Sequence, residues 1–275
     1  VNNNNNLTKE QEEKIVELYK SGKGQQYCAK AVGISNSLIV KKVLKKYGIK
    51  IRTFSESATL SNKQRKFYRI NDEYFKTESS NMAYILGFLA ADGTVRKNTN
   101  EIKVTVSAVD RDFLVMLNEE LESEYIVKDF ITSQGYSAST LAFTSETIKH
   151  DLAAYNVVPT KTFNFKFPEK LNKKYWIDFI RGYFDGDGSV STAGNCGIKW
   201  QLCSATEDVL KHVVDFFYEE YGIPKVTVRK EKRVHDLFVI AYSTNATKKI
   251  YEILYSEDSL YLKRKKDKFD TLVNN

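Results

Sequence analysis

The chain has 275 residues, of which 42% are apolar and 28% charged, and a formal net charge of +7. This is the composition of a soluble globular protein with room for one large domain or two to three small ones, and it holds no signal peptide and no membrane-spanning run, so the expected location is the cytoplasm. Three cysteines, Cys28, Cys196 and Cys203, and three histidines form neither an even disulfide set nor zinc-ligand spacing, which suits free thiols in a reducing compartment.

Charge is spread unevenly. Residues 1–80 carry net +8, residues 81–168 net −3 and residues 169–275 net +2. A basic arm ahead of a near-neutral body suits contact with a polyanion. Residues 1–7, with five consecutive asparagines, read as disordered. Thr8 followed by Gln11 makes a capping-box pattern, and Ile15, Val16, Leu18 and Tyr19 continue it as a helical stripe to about Ser21. A second helix fits 25–32, Gly33-Ile34-Ser35 reads as a turn, and a third helix fits 36–47 and ends at Gly48. Two short helices about a glycine-containing turn read as a helix-turn-helix, whose second helix enters the major groove with its N-terminal part over base edges. Ala29, Gly33, Ile34 and Ile39 fall where that motif wants small, turning and apolar residues. Asn36, Ser37 and Lys41 are then the candidates for base contacts, and Lys42, Lys45 and Lys46 for phosphates. The plain alternative is a three-helix packing unit. Residues 48–67, with Arg52, Lys63, Arg65 and Lys66, read as a basic linker that either follows the DNA backbone or serves as a tether.

Two runs further on match in register: Tyr84-Ile85-Leu86-Gly87-Phe88-Leu89-Ala90-Ala91-Asp92-Gly93 and Phe179-Ile180-Arg181-Gly182-Tyr183-Phe184-Asp185-Gly186-Asp187-Gly188. Each reads as an apolar helix stopped at Asp-Gly, the glycine being expected to take φ > 0. Gly87 and Ala91 share one helix face, Gly182 and Gly186 another, because i and i+4 are neighbours. Helices without bulk on those faces can approach backbone to backbone. Packed in parallel, they would bring Asp92 and Asp187 together at the negative ends of two helix dipoles, which is costly unless a cation lies between them. A hard divalent ion takes such carboxylates and terminal carbonyls as ligands, and two or more such ions can clamp a phosphodiester and activate water for in-line attack. A single run of this kind is commonly a core helix with its exit turn, and neither run nears the ~20 residues of a membrane span. The weight lies in having two copies with matched sequels.

Those sequels repeat one order. After Asp92, strands are expected at 94–96 and 101–107, where Ile102, Val104 and Val106 alternate with Lys103, Thr105 and Ser107. Asp110 is placed as the cap of a helix to Leu121; strands at 126–132 and 140–144 and a helix at 145–155 follow. In the second copy, strands fit 190–192 and 198–203, a helix capped by Thr206 runs to about Tyr221, strands fit 225–230 and 237–243, and a helix at 244–255 precedes the basic run Lys263-Arg264-Lys265-Lys266. Setting Thr206 on Asp110 matches Lys199 with Lys103, Gln201 with Thr105 and, on the core face, Trp200 with Val104. The expected class is α+β: two pseudo-twofold αββαββα halves, 68–168 and 169–275, forming a DNA-binding β-saddle behind a small all-α domain at 1–47. A two-stranded ribbon fits the major groove. The base-reading candidates are Arg96, Asn98, Lys103 and Thr105 in half 1, and Ser191, Asn195, Lys199, Gln201, Thr227 and Arg229 in half 2. The plain alternative for each is a solvated strand face. Because the halves differ in sequence, an asymmetric target is expected.

The boxes 85–93 and 180–188, with the lead-in Tyr68-Arg69-Ile70-Asn71-Asp72-Glu73-Tyr74-Phe75 and Met82-Ala83-Tyr84, resemble the LAGLIDADG homing endonucleases of bacterial and phage type over roughly residues 68–275. The resemblance implies a monomeric site-specific nuclease acting on double-stranded DNA. It makes Asp92 and Asp187 ligands of Mg²⁺ or Mn²⁺ together with the carbonyls of Ala91 and Gly186, with Ca²⁺ binding but not supporting cleavage. Each aspartate would serve one strand, leaving short 3′ overhangs. It also places a lysine near each centre: Lys161 and Lys265 match best, with Lys263 close behind, to stabilise pentavalent charge or orient water; a purely structural role is the alternative. One departure is Ala90, where the family usually has an acid; Asp185 retains it. The rivals are a catalytically silent regulator or intron RNA maturase on the same fold, and an intein-embedded nuclease. Val1-Asn2 and Leu272-Val273-Asn274-Asn275 lack splice nucleophiles, so a free-standing or intron-encoded protein is expected.

Overall fold

The computed structural model describes residues 7–34, 36–53, 55–57, 68–193, 197–232, 236–255 and 259–273. The chain divides into two compact units, Val1–Phe67 and Tyr68–Asn275. The asparagine run, Lys63, Arg65, Lys66 and Asn195 lie outside the described residues.

In the first unit α1 (Lys9–Lys20) opens on the expected reciprocal capping box between Thr8 and Gln11. It packs with α2 (Gln25–Ala31) and α3 (Ser37–Lys46) around Ile15, Tyr19, Cys28, Val40 and Leu44. Gly33 turns the chain between α2 and α3 with φ of 79°, a conformation that an L side chain resists. Ile49 and Ile51 join this core, and Arg52 donates its backbone N–H to the Tyr19 hydroxyl at 2.8 Å. The chain therefore stays on the helical unit through residue 52 instead of leaving it at 48.

The second unit is built around α4 (Ser80–Asp92) and α7 (Trp176–Asp187). Every residue of α4 from Met82 to Ala90 is buried, so the helix is apolar all round. The two helices run in parallel in direct backbone contact. A Cβ on Gly87 would lie 2.0 Å from the Phe179 carbonyl oxygen, and one on Gly182 1.9 Å from that of Tyr84. Further along, a Cβ on Gly186 would lie 2.3 Å from the Ala91 methyl. The expectation of φ > 0 at the closing glycines is corrected: Gly93 has φ −71° and Gly188 φ −94°. The chain does not reverse there but runs straight on into a strand. Glycine is needed for space instead, since a Cβ at Gly188 would sit 2.0 Å from the Phe184 ring.

Each of these helices leads into an antiparallel sheet, with α5 (Arg111–Glu120) and α6 (Glu146–Ala154) in half 1, and α8 (Glu207–Tyr221), α9 (Thr244–Leu254) and α10 (Lys263–Val273) in half 2. In half 1, β1 (Thr94–Val95), β2 (Glu101–Ser107), β3 (Lys128–Ile131) and β4 (Ser137–Thr144) take the order 1-2-4-3. In half 2, β5 (Gly188–Ala193), β6 (Gly197–Ser204), β7 (Arg229–Lys232) and β8 (Asp236–Tyr242) take the matching order 5-6-8-7. β2 and β6 alternate as the period-2 pattern requires: Ile102, Val104, Val106, Ile198, Trp200 and Leu202 are buried, and the residues between them face away from the core. The molecule is thus an α+β protein with two four-stranded sheets. Neither Asp110 nor Thr206 caps its helix through its side chain, contrary to expectation. Thr227 lies before β7, not in a strand. No helix among the described residues is long and apolar enough to cross a membrane.

Candidate metal centre and nucleic-acid interface

The parallel packing of α4 and α7 ends both helices at one place. The Asp92 carboxyl carbon is 3.6 Å from the point where a Gly186 Cβ would stand, one residue from Asp187. Both aspartates are exposed. The protein around them still withdraws enough water to push both carboxyls above the usual aspartate range, Asp187 to about 6, with the charge of Asp92 adding to the effect on Asp187.

Two lysines are buried against these helix ends, where the exposed carbonyls form the negative pole. Lys161 Nζ donates to the Ala91 carbonyl at 3.2 Å. Lys265 Nζ donates to the carbonyls of Phe184, Asp185 and Gly188 at 2.7, 2.8 and 2.7 Å. Burial pulls both ammonium groups below the usual lysine range, Lys265 to about 8, and the neighbouring aspartates oppose the shift. The lysines are not equivalent. Lys161 occupies the carbonyl expected to hold metal in half 1, whereas Lys265 bonds the carbonyls around Gly186 and not that of Gly186 itself.

Asp185, the acid with no counterpart at Ala90, is buried and engaged by partners other than the aspartate pair. It accepts from the Tyr84 hydroxyl at 2.8 Å, the Leu262 N–H at 2.7 Å and the Tyr255 hydroxyl at 3.3 Å. Desolvation lifts its carboxyl to about 6. Its place is structural: it ties α4, the end of α9 and the segment ahead of α10 together, and so fixes the helix that carries Lys265.

The open faces of the two sheets carry the predicted contact residues. Register places Thr94, Lys103 and Thr105 on one face of the first sheet, with Arg96 beyond the end of β1 facing Glu101. It places Ser191, Lys199, Gln201 and Arg229 on one face of the second. Several of them have partners within the chain. Arg96 Nε donates to Glu101 at 3.0 Å, Thr105 shares a hydroxyl contact of 3.0 Å with Thr140, and Gln201 Nε2 lies 3.5 Å from the Cys203 sulfur. Asn98 is exposed in the turn after β1, and Thr227 is exposed in the segment before β7. Thr140 and Lys128 share the face of Thr105 through the β4 and β3 ladders. Sequence reasoning misses both, because it places the second pair of strands without a register.

In the helical unit, Ser37 begins α3, and Lys41, Lys42 and Lys45 are exposed along it. Asn36 caps that helix, its side chain accepting from Leu38 N at 2.9 Å, so its Oδ1 is not free for a base. Lys46 bonds Glu12 of α1 at 2.6 Å rather than standing free for a phosphate.

Residues 176–261, which span the second box and most of half 2, match the family model of the LAGLIDADG-like domain. An uncharacterized protein of Methanocaldococcus jannaschii is 26% identical over 196 residues, 67% of each chain. Among solved structures, homing endonuclease I-DmoI in complex with DNA and Ca is 16% identical, with a TM-score of 0.47 over 74% of this chain and 100% of that one. Full-length WhiA from Thermatoga maritima is also 16% identical, with a TM-score of 0.45 over 74% of this chain and 64% of its own.

Proposed function

We propose that the chain is a divalent-metal-dependent, site-specific endonuclease of double-stranded DNA. The observation that carries this reading is the meeting of Asp92 and Asp187 at the ends of two touching helices, flanked by two buried lysines. Burial and, after it, the charge of Asp92 already push the Asp187 carboxyl above its usual range, so the site gains by accepting a cation. Among the described residues no set of three or more His, Cys, Asp or Glu converges; in this reading the donors are the two carboxylates with the main-chain carbonyls of Ala91 and Gly186. Hard oxygen donors of that kind fit Mg²⁺ or Mn²⁺. A bound ion of this class would polarise a phosphodiester and lower the pKa of its water. Lys161 and Lys265 would hold positive charge beside the reacting phosphate, and Lys161 would have to give up Ala91 O for that carbonyl to take an ion. The polar sheet faces lie in the major groove as a saddle, read an asymmetric target, and need no second copy because both boxes lie in one chain.

Incubating the protein with a pool of duplex fragments in Mg²⁺ and sequencing the ends tests this directly. Recurrent ends with short 3′ overhangs are the expected result. Binding without ends in either Mg²⁺ or Mn²⁺ would favour a silent regulator or an RNA maturase, a reading for which the Lys161 bond to Ala91 O speaks.

Metal binding also has a thermal signature. A carboxyl whose folded pKa is raised contributes stability below its unfolded pKa, and loses it as pH rises through about 6 for Asp187. An ion that binds the charged pair offsets that loss. Saturating Mg²⁺ or Ca²⁺ is therefore expected to raise Tm by several degrees at about pH 7.5, and by less as pH falls through 6. An equal rise at about pH 5 would place the ion elsewhere.

We read the helical unit as a helix-turn-helix that adds contacts through α3. Deleting residues 1–66 is expected to weaken binding and reduce its salt dependence, by roughly 0.9 in log–log slope for each phosphate that the unit neutralises. Unchanged affinity at every salt concentration would remove this unit from the interface.

A further inference from the structure

The basic run at the start of α10 holds two neighbours with different partners. Lys265 turns back onto its own half. Arg264 crosses to the other: its Nε lies 3.0 and 3.1 Å from the two carboxylate oxygens of Asp110, and its Nη2 lies 2.9 Å from Oδ2. Asp110 is buried, with 5% of its side chain exposed, whereas the arginine side chain is 56% exposed. A guanidinium forked onto a buried carboxylate is held in one orientation, with the rest of its donors turned outward.

What it faces is a cavity of about 480 Å³ on the half-1 side of the aspartate pair, whose lining includes Arg264, the carboxylates Asp92, Asp110 and Asp185, and the hydroxyls of Thr105, Ser107 and Ser137. Two of the three carboxylates are already engaged, Asp110 by Arg264 and Asp185 by the Tyr84 and Tyr255 hydroxyls and the Leu262 N–H. The groups left to a ligand are Asp92, the outer donors of Arg264 and the hydroxyls, which suit a phosphate beside a metal held by Asp92. They do not suit a core.

The second centre lacks this device. In the alignment of halves, Lys161 stands for Lys265 and Thr206 for Asp110, so Thr160 stands where Arg264 would be. Neither member of the pair is repeated in the duplication.

Resting on the nuclease reading, we propose that Arg264 grips a backbone phosphate beside Asp92, so that an arginine from half 2 serves the half-1 centre and the two strand-cutting centres are unequal. Asp110 is the positioning residue that aims it.

The first measurement needs no cleavage. A labelled random-sequence duplex of about 30 base pairs is titrated across a salt series, and Arg264→Gln is expected to lower the magnitude of the log–log slope by about 0.9. Arg264→Lys should restore it, because the slope counts charge and not geometry. Since Arg264→Gln leaves Asp110 buried without its partner, the double variant Asp110→Asn/Arg264→Gln is measured beside it. It should fold and show the same reduction in slope, whereas Asp110→Asn alone should keep the full slope. A double variant with the full slope overturns the proposal. The second measurement uses duplexes cut by the unaltered protein, labelled on each strand in turn. Arg264→Gln should slow one strand by on the order of 10²-fold and leave the other near its original rate. Equal slowing of both strands overturns the proposal. If the unaltered protein cuts nothing, the nuclease reading has failed, and the salt slope still decides whether Arg264 meets phosphate.

Discussion

Replacing Asp92 or Asp187 by asparagine is expected to reduce double-strand cleavage by about a thousandfold or more, with DNA affinity changed by less than about tenfold. The size follows from the role. A ligand that places a divalent ion supplies several kcal/mol of transition-state stabilisation, and each ~1.4 kcal/mol is a factor of ten in rate. Asparagine keeps the shape and removes the charge, so it relieves the two causes that push the Asp187 carboxyl up, the desolvation of a charged group and the repulsion within the pair. The variants should therefore be no less stable than the parent without metal, and should lose most of the Tm rise that Mg²⁺ produces. That combination separates a catalytic pair from a structural one. A buried carboxylate that held the fold, as Asp185 does through Leu262 N–H, would cost stability when neutralised. Measuring strand cleavage, Tm with and without Mg²⁺, and duplex binding on each variant checks all three. Cleavage surviving in both variants would remove the aspartates from the chemistry.

The parts of this site that follow short-range rules are legible in the sequence. Small residues four apart forecast the contact between α4 and α7, and alternation forecasts which residues of β2 and β6 face the core, because side-chain direction is a matter of period. What escapes depends on partners far along the chain. Nothing near Asp110 says that its carboxylate will meet Arg264, 154 residues on, instead of capping α5. Asn36 reads as a base contact by its place in the motif, although its position before a helix already favours a cap. Val226 and Val228 suggest a strand through Thr227. These two pack against the core from the irregular segment before β7, so apolar alternation there reports burial without a ladder. The Asp-Gly pair reads as a helix end with the usual left-handed glycine, but a helix that passes straight into a strand has no reversal to make. At Gly93 the constraint is steric, since a Cβ would lie 2.5 Å from the Leu89 carbonyl oxygen.

Steric constraint is strongest where α4 and α7 touch. Glycine to alanine inside a helix normally stabilises by about 1 kcal/mol. At Gly87 and Gly182 the sign is expected to reverse. The added methyl would meet carbonyl oxygens at 2.0 and 1.9 Å, and both belong to the partner helix backbone, which has no rotamer to change. The helices must part, and the buried residues packed around them must follow. Overpacking of this kind costs ~1–3 kcal/mol, and more when two main chains have to separate. Against a total stability of ~5–15 kcal/mol, Gly182→Ala should lower the denaturation midpoint clearly, and Gly182→Val should leave little folded protein. Gly186→Ala makes the useful contrast. Its methyl meets the Ala91 methyl first, at 2.3 Å, and lies 3.6 Å from the Ala91 Cα and the Asp92 carboxyl carbon, at the helix ends where the packing can open. That variant should fold with a smaller loss of stability and yet cleave poorly, because the aspartates are pushed apart. If Gly186→Ala kept full cleavage, the spacing of the carboxylates would not be what the two glycine-faced helices exist to set.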